Sequence, residues 1–353
     1  MAEQSAYAAA GVDIEAGDRA VELMKASVAA SHRPEVLGGL GGFAGFFDAS
    51  ALAAYRRPVL ATSTDGVGTK VAIARAMGVY DTIGYDLIGM LVDDLVVTGA
   101  EPLFVTDYIA CGKVFPERIA AIVGGIAAAC KDAGAALLGG ETAEHPGLMS
   151  PEDFDVAGAT TGVVEYDSIL GASRVQPGDV VLALASSGLH SNGYSLVRHV
   201  FASASWGLER VVPELGRTLG EELLTPTRVY ARDLLDIIRA TEVHSISHIT
   251  GGGLANNLVR VLPDGIGVDL DRVTWTPPAI FDLVQSVGGI SQPDIEATLN
   301  MGVGMALVLP ESSVASAQAV ASAAGIDSWV MGAAVAEPDA PARVTLHGAH
   351  AAG

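Results

Sequence analysis

Apolar runs that end in glycine-rich turns are the feature that most constrains this chain. Four such turns carry an acid, a lysine or a histidine, at residues 62–70, 137–147, 186–198 and 244–257. Glycine permits tight turns and close approach of the backbone to a ligand. A turn between a strand and a helix also points backbone amides at an anion. Taken together, the four turns predict a site for a polyphosphate with Mg²⁺.

The composition excludes several classes of protein. The 353 residues include 20 Lys and Arg against 41 Asp and Glu, a formal net charge of −21, and half of them are apolar. Such a negative chain offers no electrostatic surface to nucleic acid or anionic membranes, and such an apolar chain is not disordered. Anions must therefore bind through local groups. At about 100–200 residues per domain, the length predicts two domains.

The sequence carries no recognisable targeting or membrane signal. Residues 1–15 lack the basic region and apolar core of a signal peptide. The most apolar stretch, residues 119–130, is shorter than the roughly 20 residues of a membrane span. Only Cys111 and Cys130 occur, too few for a disulfide framework or a cysteine-rich zinc site. We expect a cytoplasmic protein without membrane or nucleic-acid partners.

Hydrophobic periodicity predicts helices and strands in mixed order. The predicted helices cover 18–30, 69–77, 82–98, 117–133, 226–240, 279–287 and 313–324, with two more starting at Tyr194 and Leu254. The predicted strands cover 58–64, 102–109, 135–138, 156–164, 180–185, 244–249, 305–309 and 328–335. The polar segment 167–179 separates two strand-like runs, which predicts domains at 1–166 and 167–353. Without a strict βαβ rhythm, the fold class is α+β in two domains, with a frayed tail from Glu337.

The segment TSTDGVGTK, residues 62–70, reads as a strand end, a tight turn and a helix start. It is not a P-loop, because that motif needs Ser or Thr after the lysine and here Thr69 precedes Lys70. A carboxylate at a strand end can hold Mg²⁺, and a neighbouring lysine can contact phosphate. The residues fit equally a plain strand–turn–helix with solvated Asp65 and Lys70.

The predicted helix 82–98 carries adjacent acids whose environments should differ. A helical wheel at 100° per residue places Asp93 over Asp86, on the face opposite the apolar stripe. The same wheel places Asp94 at the edge of the stripe. We therefore predict a solvated Asp93 and a half-buried Asp94. A half-buried carboxylate needs a cationic partner, which makes Asp94 the better metal-ligand candidate.

Four further segments carry residues with a functional or a structural interpretation. Glu141 follows a double glycine and can serve a metal or a substrate. His190 lies before a helix start, where the loop forms either an anion site or a capping loop with an exposed histidine. His248 ends a strand before three glycines. Its interpretation as a packed strand residue and its interpretation as a phosphate contact are equally open. Asn300 lies before a glycine-rich strand that close packing alone would explain.

The order of these motifs resembles the phosphoribosylformylglycinamidine cyclo-ligase family, also called aminoimidazole ribonucleotide (AIR) synthetases, of purine biosynthesis. The resemblance covers nearly the whole chain, to about residue 336. The segments that carry it are AGVDIEAGD (10–18), RPEVLGGLGGF (33–43), TDGVGTK (64–70), DTIGYDL (81–87), DDLVVTGAEPLF (93–104), GGETAE (139–144), DVAG (155–158), SSGLHSNGYSLVR (186–198), LTPTRVY (224–230), HITGGGLANN (248–257) and NMGVGM (300–305).

The resemblance implies a reaction, cofactors and an assembly. ATP and Mg²⁺ would activate the formyl oxygen of formylglycinamidine ribonucleotide as a phosphorylated iminol. A nitrogen of the same substrate would then close the imidazole ring and release phosphate. Members of the family are homodimers whose N-terminal strands pair across the interface. The implied architecture is an N-terminal α/β domain that binds ATP and metal and dimerises, followed by a C-terminal mixed-sheet α/β domain that completes the site.

The resemblance also implies roles for single residues. Asp65 and Asp94 would hold the metal. His190 and His248 would act with Lys70 as catalytic groups, His248 in proton transfer or phosphate contact. ATP would contact Gly39, Gly41, Gly42, Asp65, Gly66, Thr69, Lys70 and Asp94. The substrate would contact Glu141, Ser187, His190, Ser191, Asn192, Gly251 and Gly252.

Two positions depart from the pattern usual in the family. The family usually has Asn where this chain has Asp93, and Cys within the segment that reads NMGVGM here. Two other functions are weighed against the cyclo-ligase. One is a nucleotide-binding relative without turnover, and the other is a sister ATP-using synthetase or kinase. A selenophosphate synthetase would need a reactive cysteine in an N-terminal loop, whereas the first cysteine here is Cys111.

Overall fold

The computed structural model describes residues 13–39 and 41–351, and this part of the chain forms two compact units. Unit 1 is the described chain up to Leu95 together with Glu101–Glu165, and unit 2 is Val96–Ala100 together with the described chain from Tyr166. Each unit mixes helices with a sheet, which confirms the predicted α+β class. No helix in the described ranges is long and apolar enough to cross a membrane.

Unit 1 is built on a four-stranded mixed sheet. Its elements are α1 (Ile14–Ser31), β1 (Pro58–Gly66), α2 (Val71–Met77), α3 (Ile83–Val96), β2 (Glu101–Cys111), α4 (Pro116–Ala133), β3 (Ala136–Glu144) and β4 (Phe154–Glu165). The strand order is β1-β4-β2-β3. β4 is antiparallel to both of its neighbours, and β2 and β3 are parallel, joined by α4. A two-residue ladder, Val36–Leu37 with Phe46–Phe47, precedes β1.

Helices α3 and α4 approach each other at two glycines. A Cβ on Gly84 would lie 2.2 Å from the backbone of Gly125, and a Cβ on Gly125 would lie 2.0 Å from the carbonyl oxygen of Asp81. Backbone atoms at such distances cannot give way cheaply, so both positions require glycine. This contact fixes α3, the helix with the paired acids, against its neighbour.

Helices cover one face of the unit 1 sheet, whereas the other face leaves large side chains exposed among the described residues. Leu91 of α3 lies against Gly158 of β4. Side chains on the opposite face include Leu60, 61% exposed, and Tyr108, 42% exposed. β1 is also an edge strand, so its outer backbone groups have no ladder partner within the described chain. An open face beside an open edge is a surface that another chain can cover.

Unit 2 is built on a six-stranded sheet. Its elements are β5 (Val180–Ala185), α5 (Tyr194–Ser203), α6 (Leu219–Leu223), α7 (Ala231–Ala240), β6 (Ser245–His248), α8 (Gly253–Leu258), β7 (Ile266–Asp271), α9 (Ala279–Gly288), α10 (Gln292–Glu296), β8 (Val303–Leu309), α11 (Val314–Ala323), β9 (Ser328–Ala336) and β10 (Arg343–His347). The strand order is β6-β8-β5-β9-β7-β10. All pairs are antiparallel except β7 and β10.

The predicted frayed tail was wrong, because β10 closes the sheet. It pairs in parallel with β7, and Arg343 lies 2.7 Å from the carboxylate of Asp269 on that strand. Arg272 donates to the carbonyl oxygen of Leu346 at 2.8 Å. The partners are distant in sequence, so local periodicity carried no sign of them. The helix predicted over 226–240 begins only at Ala231.

Candidate functional site

The first glycine-rich turn forms the predicted strand–turn–helix. β1 ends at Gly66, whose amide donates to the exposed Asp65 carboxylate at 2.7 Å. The amide of the buried Val67 donates to Val156 at 2.9 Å. Gly68 has φ +71°, which favours glycine. A short 3₁₀ turn that contains the exposed Thr69 then leads into α2.

Lys70 is buried rather than solvated. Its side chain is fully buried, and its Nζ lies 2.7 Å from Oδ1 of the equally buried Asp86. Burial lowers the pKa of Lys70, and the charge of Asp86 opposes that shift. The interpretation of Lys70 as a solvated side chain, which the sequence left open, is therefore wrong. The predicted contact of Lys70 with ATP stays a prediction, and in this structure the ammonium group belongs to an internal ion pair.

The predicted environments of the two adjacent acids are reversed. Asp93 is fully buried, whereas Asp94 is exposed. The wheel assumed that the face carrying Asp86 points to water, but Asp86 pairs with buried Lys70, so that face points inward. Within α3, Asp94 is the exposed residue, Tyr85 is partly exposed and the rest is buried. Hydrophobicity alone cannot reveal a polar face that is buried by an ion pair.

The two predicted metal ligands, Asp65 and Asp94, both lie at exposed positions of unit 1. Asp65 pairs in register with Gly158, on which Leu91 packs. Asp94 follows Leu91 by three residues on α3, which is about one helical turn. Among the described residues, no group of three or more His, Cys, Asp and Glu side chains is placed to hold a metal. Mg²⁺ commonly takes only one or two carboxylates and completes its shell with water and phosphate, so two exposed carboxylates fit it.

The glycine-rich segment before β1 borders a cavity of about 300 Å³ in unit 1. Gly39 is exposed and does not line this cavity. Predicted site residues at the cavity are Gly41, Gly42 and Glu141, and all three are exposed. The other lining residues are Gly17, Ala20, Val21, Met24, Val28, Asp107, Val114, Val123, Leu137, Gly139, Gly140 and Thr142.

Sequence reasoning missed Asp107, the buried acid of this cavity. Its side chain is 9% exposed, and desolvation raises its pKa to about 7. It lies within β2, where no glycine-rich turn or helix start marks it. The available signal was a charged residue at an inward position of a strand, since the neighbours Val105 and Ile109 are both buried.

In unit 2 the loop between β5 and α5 is held by hydrogen bonds that involve its predicted site residues. The ring of His190 is 1% exposed, with φ +58° at its backbone. The backbone amide of Ser187 donates to Nε2 of that ring at 3.1 Å. The Ser187 hydroxyl donates to Pro226 at 2.7 Å and accepts from the Arg228 amide at 3.0 Å. The alternative interpretation, a capping loop with an exposed His190, is therefore wrong.

Strand β8 lies between the two glycine-rich loops of unit 2. Asn300, just before it, donates to the carbonyl oxygen of Gly188 at 2.9 Å. Gly304 has no room for a side chain, because a Cβ there would lie 2.0 Å from the Tyr230 hydroxyl and 3.1 Å from Cε1 of His190. The carbonyl oxygen of Gly304 accepts from the amide of Ile249 at 2.9 Å. One strand thus positions both loops.

The loop after β6 contains the remaining predicted residues. His248 is 5% exposed at the strand end. Asn257 holds the turn, since its Nδ2 donates to the carbonyl oxygen of Gly251 at 3.1 Å. Gly252 has φ +96°. The Oδ1 of Asn192, on the other loop, lies 3.5 Å from the Cβ position of Gly251, so the two loops meet. The buried Ser191 belongs to the same region.

Family models match both halves of the chain. The model described as AIR synthase related protein, N-terminal domain, matches residues 48–164. The model described as AIR synthase related protein, C-terminal domain, matches residues 176–344. The first match lies in unit 1 apart from Val96–Ala100, and the second lies in unit 2.

Curated relatives match over nearly their whole length. The chain is 52% identical over 315 residues to a phosphoribosylformylglycinamidine cyclo-ligase of Geobacillus sp. (strain WCH70), which covers 89% of this chain and 90% of that protein. It is 50% identical to the protein of the same name from Shouchella clausii, over 93% of this chain and 95% of that one.

Solved structures share the fold at low identity. Thiamine-monophosphate kinase from Stenotrophomonas maltophilia K279a superposes with a TM-score of 0.68 at 18% identity, covering 94% of this chain and 97% of that one. The hydrogenase maturation protein HypE from E. coli superposes with a TM-score of 0.63 at 18% identity, covering 93% and 94%. At such identity these matches report architecture.

Proposed function

The chain belongs to the AIR synthase family, and we infer that it is an ATP-dependent phosphoribosylformylglycinamidine cyclo-ligase of purine biosynthesis. The observation that carries this inference is 52% identity to a cyclo-ligase across 90% of that protein. The reaction converts formylglycinamidine ribonucleotide and ATP to 5-aminoimidazole ribonucleotide, ADP and phosphate.

We propose that ring closure proceeds through a phosphorylated formyl oxygen. The formyl oxygen attacks the γ-phosphorus of ATP, and ADP leaves with the bridging oxygen. The ring-forming nitrogen of the substrate then attacks the formyl carbon, the carbon–oxygen bond breaks and phosphate departs. The protein contributes mainly by positioning the reactants and neutralising phosphate charge, which matches glycine-rich loops and placed carboxylates.

Asp65 and Asp94 are the carboxylates proposed to hold Mg²⁺, which neutralises the phosphate oxygens of ATP when it is bound. Support comes from their exposure in unit 1, at a strand end and on an otherwise buried helix. Asp94 is exposed, whereas Asp86 and Asp93, the remaining acids of α3, are buried. The exposed Thr69 and the Gly66 amide lie on the same turn as Asp65, where they can meet phosphate.

The two loops of unit 2 are proposed to hold the substrate and its phosphate. The residues concerned are Ser187, His190, Ser191, Asn192, Gly251 and Gly252. In unit 1, Glu141 is proposed as a further substrate contact. Small residues before the N-terminus of α5 provide amides for an anion. His190 and His248 are proposed to move protons or contact phosphate after the loops rearrange around substrate. In this division of labour, residues 1–166 bind ATP and metal and residues 167–353 complete the site.

A homodimer joined through unit 1 is proposed from its open surface. β1 is a nine-residue edge strand, and its Leu60 is 61% exposed. An uncovered edge and apolar face of this kind invite strand pairing or sheet packing with a second copy. The high negative charge and the purine pathway fit a cytoplasmic enzyme.

Leu60→Glu should convert the dimer to a monomer, because it would bury a carboxylate in the interface without a partner. Sedimentation equilibrium would measure the mass of each variant. Val211→Glu is the matched control, since Val211 is 67% exposed in unit 2 and should leave the mass unchanged. A monomeric wild-type chain, or a Leu60→Glu variant that remains dimeric, would refute this interface.

The function is tested by following ADP and aminoimidazole in one assay. With Mg-ATP and synthetic formylglycinamidine ribonucleotide, both products should appear in equal amounts, and neither should appear without the ribonucleotide. ADP without aminoimidazole would instead indicate a sister kinase or synthetase. ATP binding without either product would indicate a nucleotide-binding protein and overturn the enzyme proposal.

A further inference from the structure

The chain continues beyond β10 as a C-terminal tail, residues 348–351, that is bound to unit 2. The C-terminal family model ends its match at residue 344, before this tail begins. The guanidinium group of Arg272 donates to the first carbonyl oxygen of the tail at 3.2 Å, and the Thr276 hydroxyl donates to the last at 3.2 Å. Unit 2 therefore holds the tail at both of its ends.

His350 is the side chain that the tail buries. It is 14% exposed. Its ring meets the ring of Trp275 edge-on, with 4.6 Å between the centroids, a separation typical of favourable aromatic pairs. Its Nε2 lies 3.4 Å from Oε1 of Glu296, a carboxylate that Arg272 also binds through two hydrogen bonds of 2.7 Å. One side chain of the tail thus contacts both an aromatic ring and an ion pair of unit 2.

Trp275 and Glu296 both hold the supporting segment, residues 296–301, which lies between α10 and β8. Glu296 is the first residue of this segment. At its other end, Nε1 of Trp275 donates to the carbonyl oxygen of Met301 at 3.0 Å. Met301 has φ +51°, a conformation that is strained for any residue except glycine. The contacts of His350 therefore reach both ends of a segment whose backbone needs outside support.

The supporting segment lies directly against both glycine-rich loops of unit 2. A Cβ on Gly253 would lie 1.7 Å from the carbonyl oxygen of Glu296. A Cβ on Gly193 would lie 2.3 Å from Cδ2 of Leu299. Packing this close transmits a displacement of the segment to the loops. The positions of the two loops consequently depend on the position of the supporting segment.

We propose that the C-terminal tail positions the two substrate loops of unit 2, with His350 as the positioning residue. The contacts run from His350 through Trp275 and Glu296 to the supporting segment, and from there to the loops. A cavity of about 220 Å³, lined by Leu254 and Leu346 among others, leaves α8 without close packing on one side. This gap increases the dependence of the loop before α8 on the supporting segment. The inference rests on the proposed binding of substrate by these loops.

His350→Ala should raise the KM for formylglycinamidine ribonucleotide about 10-fold, within the range by which residues without ligand contact change binding. The KM for ATP should stay unchanged, and kcat should stay within about twofold, because the loss concerns substrate binding alone. A merely structural role would instead reduce the amount of active enzyme and leave both KM values as they are. Initial rates of aminoimidazole formation at varied concentrations of each reactant give these constants.

Two further histidine variants make this comparison specific. His347→Ala is the matched control, since it makes the same substitution on the same C-terminal segment at a side chain that is 58% exposed. It should leave every constant unchanged. His350→Phe keeps an aromatic ring against Trp275 and should restore most of the substrate affinity, because 3.4 Å from Nε2 to Glu296 is long for a hydrogen bond.

Two tryptophan variants test the next contact. Trp275→Phe keeps a ring but removes the donor to Met301, and it should raise the substrate KM about 10-fold. Trp329 is stacked on Trp275 with 6.3 Å between the ring centroids, and its Nε1 has no hydrogen-bond partner among the described residues. Trp329→Phe should therefore leave the KM unchanged. If His350→Ala fails to fold, this pair decides the question.

Amide hydrogen exchange tests the positioning without reference to activity. In His350→Ala, and in a chain that ends at His347, the amides of residues 188–193 and 251–254 should exchange faster, because loops with fewer contacts open more often. The amides of residues 62–70 in unit 1 should exchange as in the wild type. Faster exchange in the two loops without any aminoimidazole product would keep the role of the tail and remove the cyclo-ligase.

Three results would overturn the inference. One is an active His350→Ala variant with the wild-type KM for the ribonucleotide. Another is an equal effect of Trp275→Phe and Trp329→Phe on that KM. The third, decisive if the protein forms no product, is unchanged exchange of both loops in the chain that ends at His347. Product formed with any of the first two results would leave the cyclo-ligase standing and remove the positioning role of the tail.

Discussion

Asp94→Asn should lower the rate of aminoimidazole formation by about 10²–10³-fold, the size expected when one preorganised electrostatic group is lost from an active site. The substitution keeps the shape of the side chain and removes its charge. Asp94 is the exposed residue of a helix that is otherwise buried or partly buried, so stability should change by less than about 0.5 kcal/mol. Activity at rising Mg²⁺ concentration is the measurement, and the variant should need more Mg²⁺ for half-maximal rate.

Two neighbouring substitutions make this experiment specific. Asp81→Asn removes another exposed charge, next to the N-terminus of α3, and should leave the rate unchanged. Asp93→Asn installs the residue that the family resemblance implies, and it should also preserve activity because Asp93 is buried away from solvent. An Asp94→Asn variant with nearly wild-type rate and Mg²⁺ dependence would remove Asp94 from the metal site.

The contrast between these acids shows which parts of the structure were accessible from the sequence. The strand, turn and helix around Asp65 follow from local pattern and glycine spacing, and they were predicted correctly. The burial of Asp93 was not, because hydrophobic periodicity assigns charged faces to solvent. Here Lys70, from another element, turns a charged face inward. Pairing between distant side chains leaves no periodic signal.

Contacts between residues distant in sequence also explain why the C-terminal strand and the buried acid of the cavity were not predicted. β10 is a strand because β7 offers it a parallel ladder, a partner more than 70 residues away in sequence. Asp107 becomes a candidate only once β3 brings Gly140 beside it. Residues within a glycine-rich motif were found from sequence, whereas residues whose role depends on sheet register required the fold. His190 and His248 were found from their glycine-rich loops, but the burial of both residues became visible only in the fold.

Lys70→Met should destabilise the protein by about 3–5 kcal/mol, the usual cost of removing one member of a buried ion pair. The reason is the geometry of the pair, with both side chains fully buried and 2.7 Å between Nζ and Oδ1. Methionine fills much of the space but leaves the Asp86 carboxylate buried without this cation. Urea denaturation of the wild type and the variant gives the difference, and a loss below about 1 kcal/mol, as for exposed pairs, would contradict the buried pair.

The double variant Lys70→Met/Asp86→Leu separates stability from catalysis at this position. Replacing both members of a buried pair by apolar side chains is often neutral or stabilising, so most of the lost stability should return. If Lys70 only supports α3, aminoimidazole formation should return with it. If Lys70 also contacts the phosphates of ATP, as the family resemblance implies, the stable double variant should keep a reduced rate and a raised KM for ATP. The bond to Asp86 uses one of the three donors of the ammonium group, but the side chain is fully buried, so such a contact would require a movement that uncovers it when ATP binds. That movement would couple nucleotide binding to α3, which carries both Asp86 and Asp94.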